Sequence, residues 1–390
     1  MPRYFLFGLL YFSEGAPIGF LWWALPTILR VQGLAVERIT ALTALLVLPW
    51  TLKFLAAPLV DLGRSWGLKH WVAGAQIGMG LCLLPLTRID PLVHLDWWTG
   101  FLLAHAICAA MQDVAIDALA IASVPPADRG RVNSAMQIGM LAGRGLFGGV
   151  SIWLAKVAGL GAVVASLIVA IWLSLVVLWN QAEEPAPRQR PLWPALRAAA
   201  GRATTWLGLG FALTAEAAFK ATGGLAGPML IDHQVSQEAT AAFFSLGVVG
   251  AMMVGSLIGG RLADQRSRYR AVGTGLVFTV AMVFGLGLLE RWGLRGPVLM
   301  VALAGVYLSI GVFTVSAYAL LMDLTEPTLG ATQFSAFMAA TNACEAWSVA
   351  LAGRLAGQHG YGLALMAMAC AGLLGFGFLF ALSRRAQCPE

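Results

Sequence analysis

Charge is what this sequence has least of. Only 11% of its 390 residues are Asp, Glu, Lys or Arg, whereas 59% are hydrophobic. A soluble domain carries about 25% charged residues. A soluble body of this size has too little interior to hide so much apolar surface. Lipid is the solvent that fits. A helix crosses a bilayer with about 20 apolar residues, so the chain has room for twelve crossings.

Other absences narrow the chemistry. The five cysteines show no C-x-x-C spacing: Cys82, Cys108, Cys344 and Cys370 lie inside apolar runs and Cys388 in the tail. A disulfide framework or a zinc site is therefore not expected. The five histidines are scattered, and only His105 is deep in an apolar run, where helix packing is its ordinary role. No G-x-x-x-x-G-K-[ST] is present, so the chain has no ATP loop of its own. No H-E-x-x-H or G-x-S-x-G is present, so an intramembrane enzyme is not expected. No cofactor and no metal site is implied. The first apolar run is too long for a cleaved signal peptide and ends without a small-residue cleavage pattern.

What is present is a series of apolar runs. They predict twelve membrane spans, at 4–30, 37–60, 71–87, 97–123, 132–157, 161–180, 204–229, 239–262, 271–290, 297–322, 333–356 and 361–383. The net charge of +6 is explained by where the bases lie. With both termini cytoplasmic, the inner loops hold Arg64, Lys69, Arg129, Arg131, Arg188, Arg190, Arg197, Arg202, Arg266, Arg268, Arg270, Arg384 and Arg385. Far fewer bases fall outside, and that bias sets orientation. Nucleic acid is not needed to account for the charge. Trp66, Trp71, Trp97, Trp98, Trp179, Trp206 and Trp292 fall near span ends, as an aromatic belt would.

The longest polar interruption, 181–203, divides the chain into an N-terminal bundle (1–180) and a C-terminal bundle (204–390). Leu192 to Arg202 is expected to lie flat on the inner leaflet as an amphipathic segment. The halves resemble each other. Pro126 precedes Ser134-Ala135 by eight residues, and Pro327 precedes Ser335-Ala336 by the same interval. The loop containing Asp61, Gly63 and Arg64 corresponds to the one containing Arg261, Asp264 and Arg266. Two six-span repeats are a carrier signature.

Ionisable residues inside spans are costly and should face a cavity or a partner. The bases are Lys53, Arg144 and Lys220. The acids are Glu14, Asp113, Asp117, Glu216 and Glu345, with Asp323 near a span end. Three bases cannot neutralise five acids, and an unpaired carboxylate in an apolar medium takes up a proton. Asp113 and Asp117 are four apart and share a helix face. Either one of them holds a proton, or a base such as Lys53 or Arg144 sits between them. Glu216 and Lys220, also four apart, are expected to neutralise each other. Arg144 and Glu345 each follow the repeated Ser-Ala by the same interval. They are expected at equal depth, as an ion pair between the halves that gates access. Glu14 precedes Gly15, Pro17 and Gly19, so a kink is expected beside it. The glycines of spans five and eight permit close helix contact, expected between the halves.

The loop with Asp61, Gly63, Arg64 and Lys69 resembles the gating motif of the major facilitators. Thr51-Leu52-Lys53-Phe54-Leu55-Ala56-Ala57-Pro58-Leu59-Val60-Asp61 resembles the second span of the muropeptide permease and acetyl-coenzyme A transporter family. Gln112-Asp113-Val114-Ala115-Ile116-Asp117-Ala118 with Arg129-Gly130 resembles its fourth, and Ile138-Gly139-Met140-Leu141 continues the likeness. Asp117-Ala118-Leu119-Ala120 and Asn133 are similar to the related siderophore permeases. The resemblance implies an all-α membrane protein of twelve helices in two six-helix pseudo-repeats, the major facilitator fold. Spans 3, 6, 9 and 12, which hold none of the eight buried charges, would then face lipid.

The function implied is a secondary transporter of the bacterial inner membrane, working as a monomer by alternating access. It would take up a siderophore-like or muropeptide-like solute with protons. Alternatives are export of an acetyl-coenzyme A-like or drug substrate, and a receptor that no longer transports.

Overall fold

The computed structural model describes residues 3–55, 60, 66–123, 129–179, 197, 200–265, 267–293, 296–325 and 330–387. Among these, every regular element is a helix. Helix α1 (Arg3–Gly19) continues through a π-helical turn (Phe20–Ala24) into α2 (Leu25–Val31). Next come α3 (Val36–Thr51), a 3-10 turn (Lys53–Leu55), α4 (Leu68–Leu83), α5 (Leu95–Ser123) and α6 (Arg129–Gly145). A second π turn (Leu146–Val150) leads into α7 (Ser151–Trp179). The remainder comprises α8 (Ala203–Thr214), α9 (Ala217–Asp232), α10 (Gln237–Ala242), a third π turn (Phe243–Val248) and α11 (Val249–Gln265). It ends with α12 (Arg268–Arg291), α13 (Pro297–Asp323), α14 (Gly330–His359), α15 (Tyr361–Gly372) and α16 (Leu374–Gln387).

Seven stretches are long and apolar enough to cross a membrane by length and composition. One of them, Ala135–Trp179, has 45 residues. At 1.5 Å per residue it would reach about 68 Å, more than twice a hydrocarbon core of about 30 Å. Gly159 breaks it with φ 81° and ψ 166°, at the boundary expected between spans five and six. The surface of these helices is apolar. Val169, Leu173 and Val176 project from one face of α7 at 66%, 54% and 63% exposure, and Leu246 is 75% exposed. Large apolar side chains in such runs have lipid, not water, as their solvent. The chain is an all-helical, multi-pass membrane protein.

Contacts divide the chain into two compact units. Unit 1 holds residues 1–34, 52–188 and 237–245; unit 2 holds 35–51, 189–236 and 246–390. Thus α3, early in the sequence, belongs to unit 2, where it lies along α14. A Cβ on Gly353 would strike Thr40, one on Gly357 would strike Glu37, and Asn342 Nδ2 donates to the Trp50 carbonyl at 3.3 Å. Conversely α10 and the first residues of the third π turn belong to unit 1, where Trp23 stacks on Phe244 and Lys156 pairs with Glu238.

The glycine stripes work inside the units. In unit 1, a Cβ on Gly15 or Gly19 would meet the carbonyl of Met140 or Arg144. A Cβ on Gly139 or Gly143 would meet the carbonyl of Gly8 or Phe12. So α1 and α6 touch backbone to backbone, the geometry small residues permit in membranes. In unit 2, Gly255 and Gly259 of α11 fit the carbonyls of Leu308 and Val312 on α13 in the same way. The expectation that the stripes join the halves holds for Gly149, where a Cβ would meet Ser245 and the Ala241 carbonyl, and is corrected for Gly139, Gly143, Gly255 and Gly259. Gly143→Val should therefore remove the monodisperse folded peak on fluorescence size-exclusion chromatography. Gly100→Ala, which meets open space, should leave it unchanged.

Ser134-Ala135 lies on α6 and Ser335-Ala336 on α14, with Arg144 and Glu345 further along the same helices. The gating residues Asp61, Gly63 and Arg64 lie outside the described residues. Asp264 is on α11, with its side chain outside them, and most of the segment expected to lie flat, Leu192 to Arg202, is outside as well.

Candidate functional site: two buried charge clusters

In unit 1 the charged side chains of α1, the Lys53 turn, α5 and α6 form one electrostatic group. Lys53 Nζ lies 2.8 Å from Asp113 Oδ2. Asp117, one turn further along α5, is held differently: Tyr11 donates its hydroxyl to Asp117 Oδ1 at 2.7 Å. The shared face of the two aspartates therefore has a partner for each, a lysine for one and a phenol for the other. Lys53 was a foreseeable partner. Tyr11 was not, because a neutral hydroxyl on another helix leaves no spacing signal.

Glu14 completes the group. It is 4% exposed, and its Oε2 has no hydrogen-bond partner among the described residues. The charges acting on it are those of Asp113, Asp117, Lys53 and Arg144. The disturbance expected beside Glu14 is present. Pro17 lies within α1, and the π turn at Phe20–Ala24 follows, closed by Leu25 N–H donating to the Phe20 carbonyl. Accessibility is graded through the cluster: Asp117 is exposed, Asp113 is 7% exposed, and Glu14 lies deepest.

A neutral network packs behind Glu14. Gln76 Nε2 of α4 donates to Ser13 Oγ at 2.9 Å and to Ser174 Oγ at 2.7 Å. Gln112 Nε2 of α5 donates to Ser13 Oγ at 3.3 Å. Ser13 in turn donates to the Leu10 carbonyl and Ser174 to the Ile171 carbonyl. Sequence reading passed over Ser13, Gln76 and Ser174, and took Gln112 only as part of the fourth-span motif. Nearby on α5, His105 Nδ1 lies 3.0 Å from the Met79 carbonyl, to which it donates. This is the helix-packing role expected of it.

Unit 2 holds a second cluster. Helix α8 ends at Thr214 and α9 begins at Ala217, so Glu216 stands at the N-cap position of α9, without a side-chain capping bond. Lys220 Nζ lies 2.6 Å from Glu345 Oε2 on α14 and 3.8 Å from Glu216 Oε2. The expected Glu216–Lys220 pair is present as the longer contact, and Lys220 is shared with Glu345. Glu216 and Lys220 share a regular turn, with Lys220 N–H donating to the Glu216 carbonyl at 3.0 Å, and Lys220 makes its short side-chain bond to Glu345, 125 residues away. Glu216 is 2% exposed, and its Oε2 accepts no hydrogen bond among the described residues. Asp323, at the end of α13, is half exposed and pairs with Arg268 at 2.8 Å, as an interfacial acid would.

Each unit thus couples a lysine–carboxylate pair to a buried glutamate beside a disturbed helix. In a multi-pass membrane protein, this is the equipment of a transporter. The chain belongs to the Major Facilitator Superfamily, whose family profile matches residues 4–343. It is 25% identical to the anhydromuropeptide permease of Escherichia coli (strain K12), covering 92% of this chain and 75% of that protein. The fold is similar to that of a D-xylose-proton symporter, with TM-score 0.77, 14% identity and coverage of 97% of this chain and 96% of that one. It is also similar to a bacterial homologue of the human lysosomal transporter Spinster, with TM-score 0.73, 15% identity and coverage of 98% and 95%. Membership of the major facilitators, expected from the sequence, is what the family profile shows.

Proposed function

We propose that this protein is a proton-coupled importer of a muropeptide-like solute in a bacterial inner membrane. It works by alternating access, with twelve spans in two sixes, 1–180 and 204–390, linked by 181–203. Both termini face the cytoplasm. The observation that carries the coupling is the division of labour in unit 1. Asp113 has Lys53 and Asp117 has the Tyr11 hydroxyl, while Glu14 Oε2 has no hydrogen-bond donor among the described residues. A carboxyl group buried without a donor is the one that carries a proton. The graded exposure from Asp117 through Asp113 to Glu14 supplies a route by which that proton arrives and leaves. Glu216 is the corresponding group of unit 2.

The substrate class is supported by the anhydromuropeptide permease, which aligns with almost the whole chain. The test is uptake of labelled anhydromuropeptides into liposomes holding the purified protein, under an inside-alkaline pH gradient. Accumulation that collapses with an uncoupler is expected. Accumulation indifferent to the uncoupler removes the coupling. Absence of any flux, with ligand still bound, makes the protein a receptor.

A further inference from the structure

Two adjacent tryptophans at the start of α5 face opposite ways. Trp98 is 1% exposed, and its indole N–H donates to the Ile89 carbonyl at 2.9 Å. Trp97 is 62% exposed and stacks on Phe101, one turn on, with 6.2 Å between ring centroids. Both of these stacked rings line an open groove of about 430 Å³, together with Asp96, Gly100 and Ala104. That volume is in the range of sites that take small organic ligands. Residues at this spacing share one face of a helix. A Cβ on Gly100 would meet nothing within 4 Å, so the floor there is bare backbone that the rest of the described chain leaves uncovered.

The groove has a polar end and an apolar end. Asp96, in the first turn of α5, is exposed and has no ion pair or side-chain hydrogen bond among the described residues. An acid in a first turn ordinarily complements the helix dipole, but this one also stands at the mouth of an aromatic-walled groove. Tryptophan beside it is the residue of the headgroup level of a bilayer. Beyond Ala104 the same face continues to Ile107, which is 49% exposed. From Asp96 to Ile107 the helix rises about 16 Å, half of a hydrocarbon core of about 30 Å. The face therefore runs from a carboxylate at headgroup level through the depth of one leaflet.

We propose that this groove binds one molecule of phosphatidylethanolamine, its ammonium on Asp96 and an acyl chain along Gly100 and Ala104. A carboxylate accepts the N–H donors of a primary ammonium, and the exposed Trp97 ring attracts the same cation. A choline headgroup has no N–H to donate, and a glycerol headgroup leaves only the negative phosphate for Asp96 to repel. A second copy of this chain fits the groove less well. Copies inserted in the same direction pair about an axis along the membrane normal, which sets identical residues at identical depth. Asp96 would then meet Asp96. The proposal rests on the membrane-spanning fold alone and is independent of which solute is carried.

The test is native mass spectrometry of the purified full-length protein. It is mixed with equal amounts of phosphatidylethanolamine, phosphatidylcholine and phosphatidylglycerol of identical acyl chains. Phosphatidylethanolamine should be retained about fivefold over the other two, the scale of one favourable ion pair in a partly exposed setting. Asp96→Asn should bring it down to the level of phosphatidylcholine while leaving the retention of phosphatidylcholine unchanged. Gly100→Leu fills the floor without striking the fold, because its Cβ meets open space, and should lower retention of all three lipids. If that variant does not fold, Asp96→Asn decides alone. Equal retention of the three lipids in the unmodified protein would overturn the headgroup assignment. An undiminished preference in Asp96→Asn, or undiminished retention in a folded Gly100→Leu, would overturn the site. A dimer that Gly100→Leu dissociates, with no selective lipid retained, would give the groove to a second copy instead.

Discussion

With Glu14 replaced by glutamine, uptake driven by a pH gradient falls to the level of protein-free liposomes, while exchange of internal for external substrate continues. Glutamine has the shape of the protonated acid but cannot release the proton. A loaded carrier can still change its conformation with a neutral side chain there, which is all that exchange demands. Net proton-driven transport requires the group to empty on one side. The expected loss is at least about a hundredfold, the scale on which one proton-transferring group acts. Asp113→Asn serves as the contrast. It strips Lys53 of its partner at 2.8 Å and leaves a buried cation uncompensated, so it should lower the yield of folded protein as well as transport. Glu14→Gln leaves no stranded charge and should fold normally. Wild-type, uncoupler-sensitive uptake in Glu14→Gln would overturn the assignment.

Several of these features were legible in the sequence, for physical reasons. Apolar runs follow from the bilayer itself and leave a linear record. So does Pro17, whose missing donor announces the disturbed helix beside Glu14. The break near residue 159 was readable as a boundary between apolar runs. Partnerships between distant helices leave no such record. Tyr11, Ser13, Gln76 and Gln112 are uncharged, and their role depends on helices α1, α4, α5 and α7 meeting side by side. Helix α3 shows the same limit at a larger scale. Its sequence position assigns it to the first half, yet Gly353 and Gly357 of α14 make room for it in unit 2. The glycine stripe of α6 was visible as an interface, but its partner, α1, was not.

Lys220 illustrates how a tertiary partner prevails over a local one, and it yields the second large effect. A spacing of four residues on an uninterrupted helix brings an acid and a base together. Here the turn from Glu216 to Lys220 is intact, yet that distance stays at 3.8 Å while Glu345 comes within 2.6 Å. Lys220→Met removes the cation bonded to Glu345 and 3.8 Å from Glu216. Leaving a buried carboxylate without its base costs about 3–5 kcal/mol, so this single change should give a large fall in melting temperature and in folded yield. Removing the second charge relieves most of that cost. In Lys220→Met with Glu345→Gln, one carboxyl remains, Glu216, which is neutral once it holds a proton. The double variant should therefore recover most of the lost stability, although neither variant restores transport. Thermal unfolding of the purified single and double variants measures this directly. If the double variant is as unstable as Lys220→Met alone, Lys220 stabilises unit 2 through packing of its stem and not through the pair with Glu345.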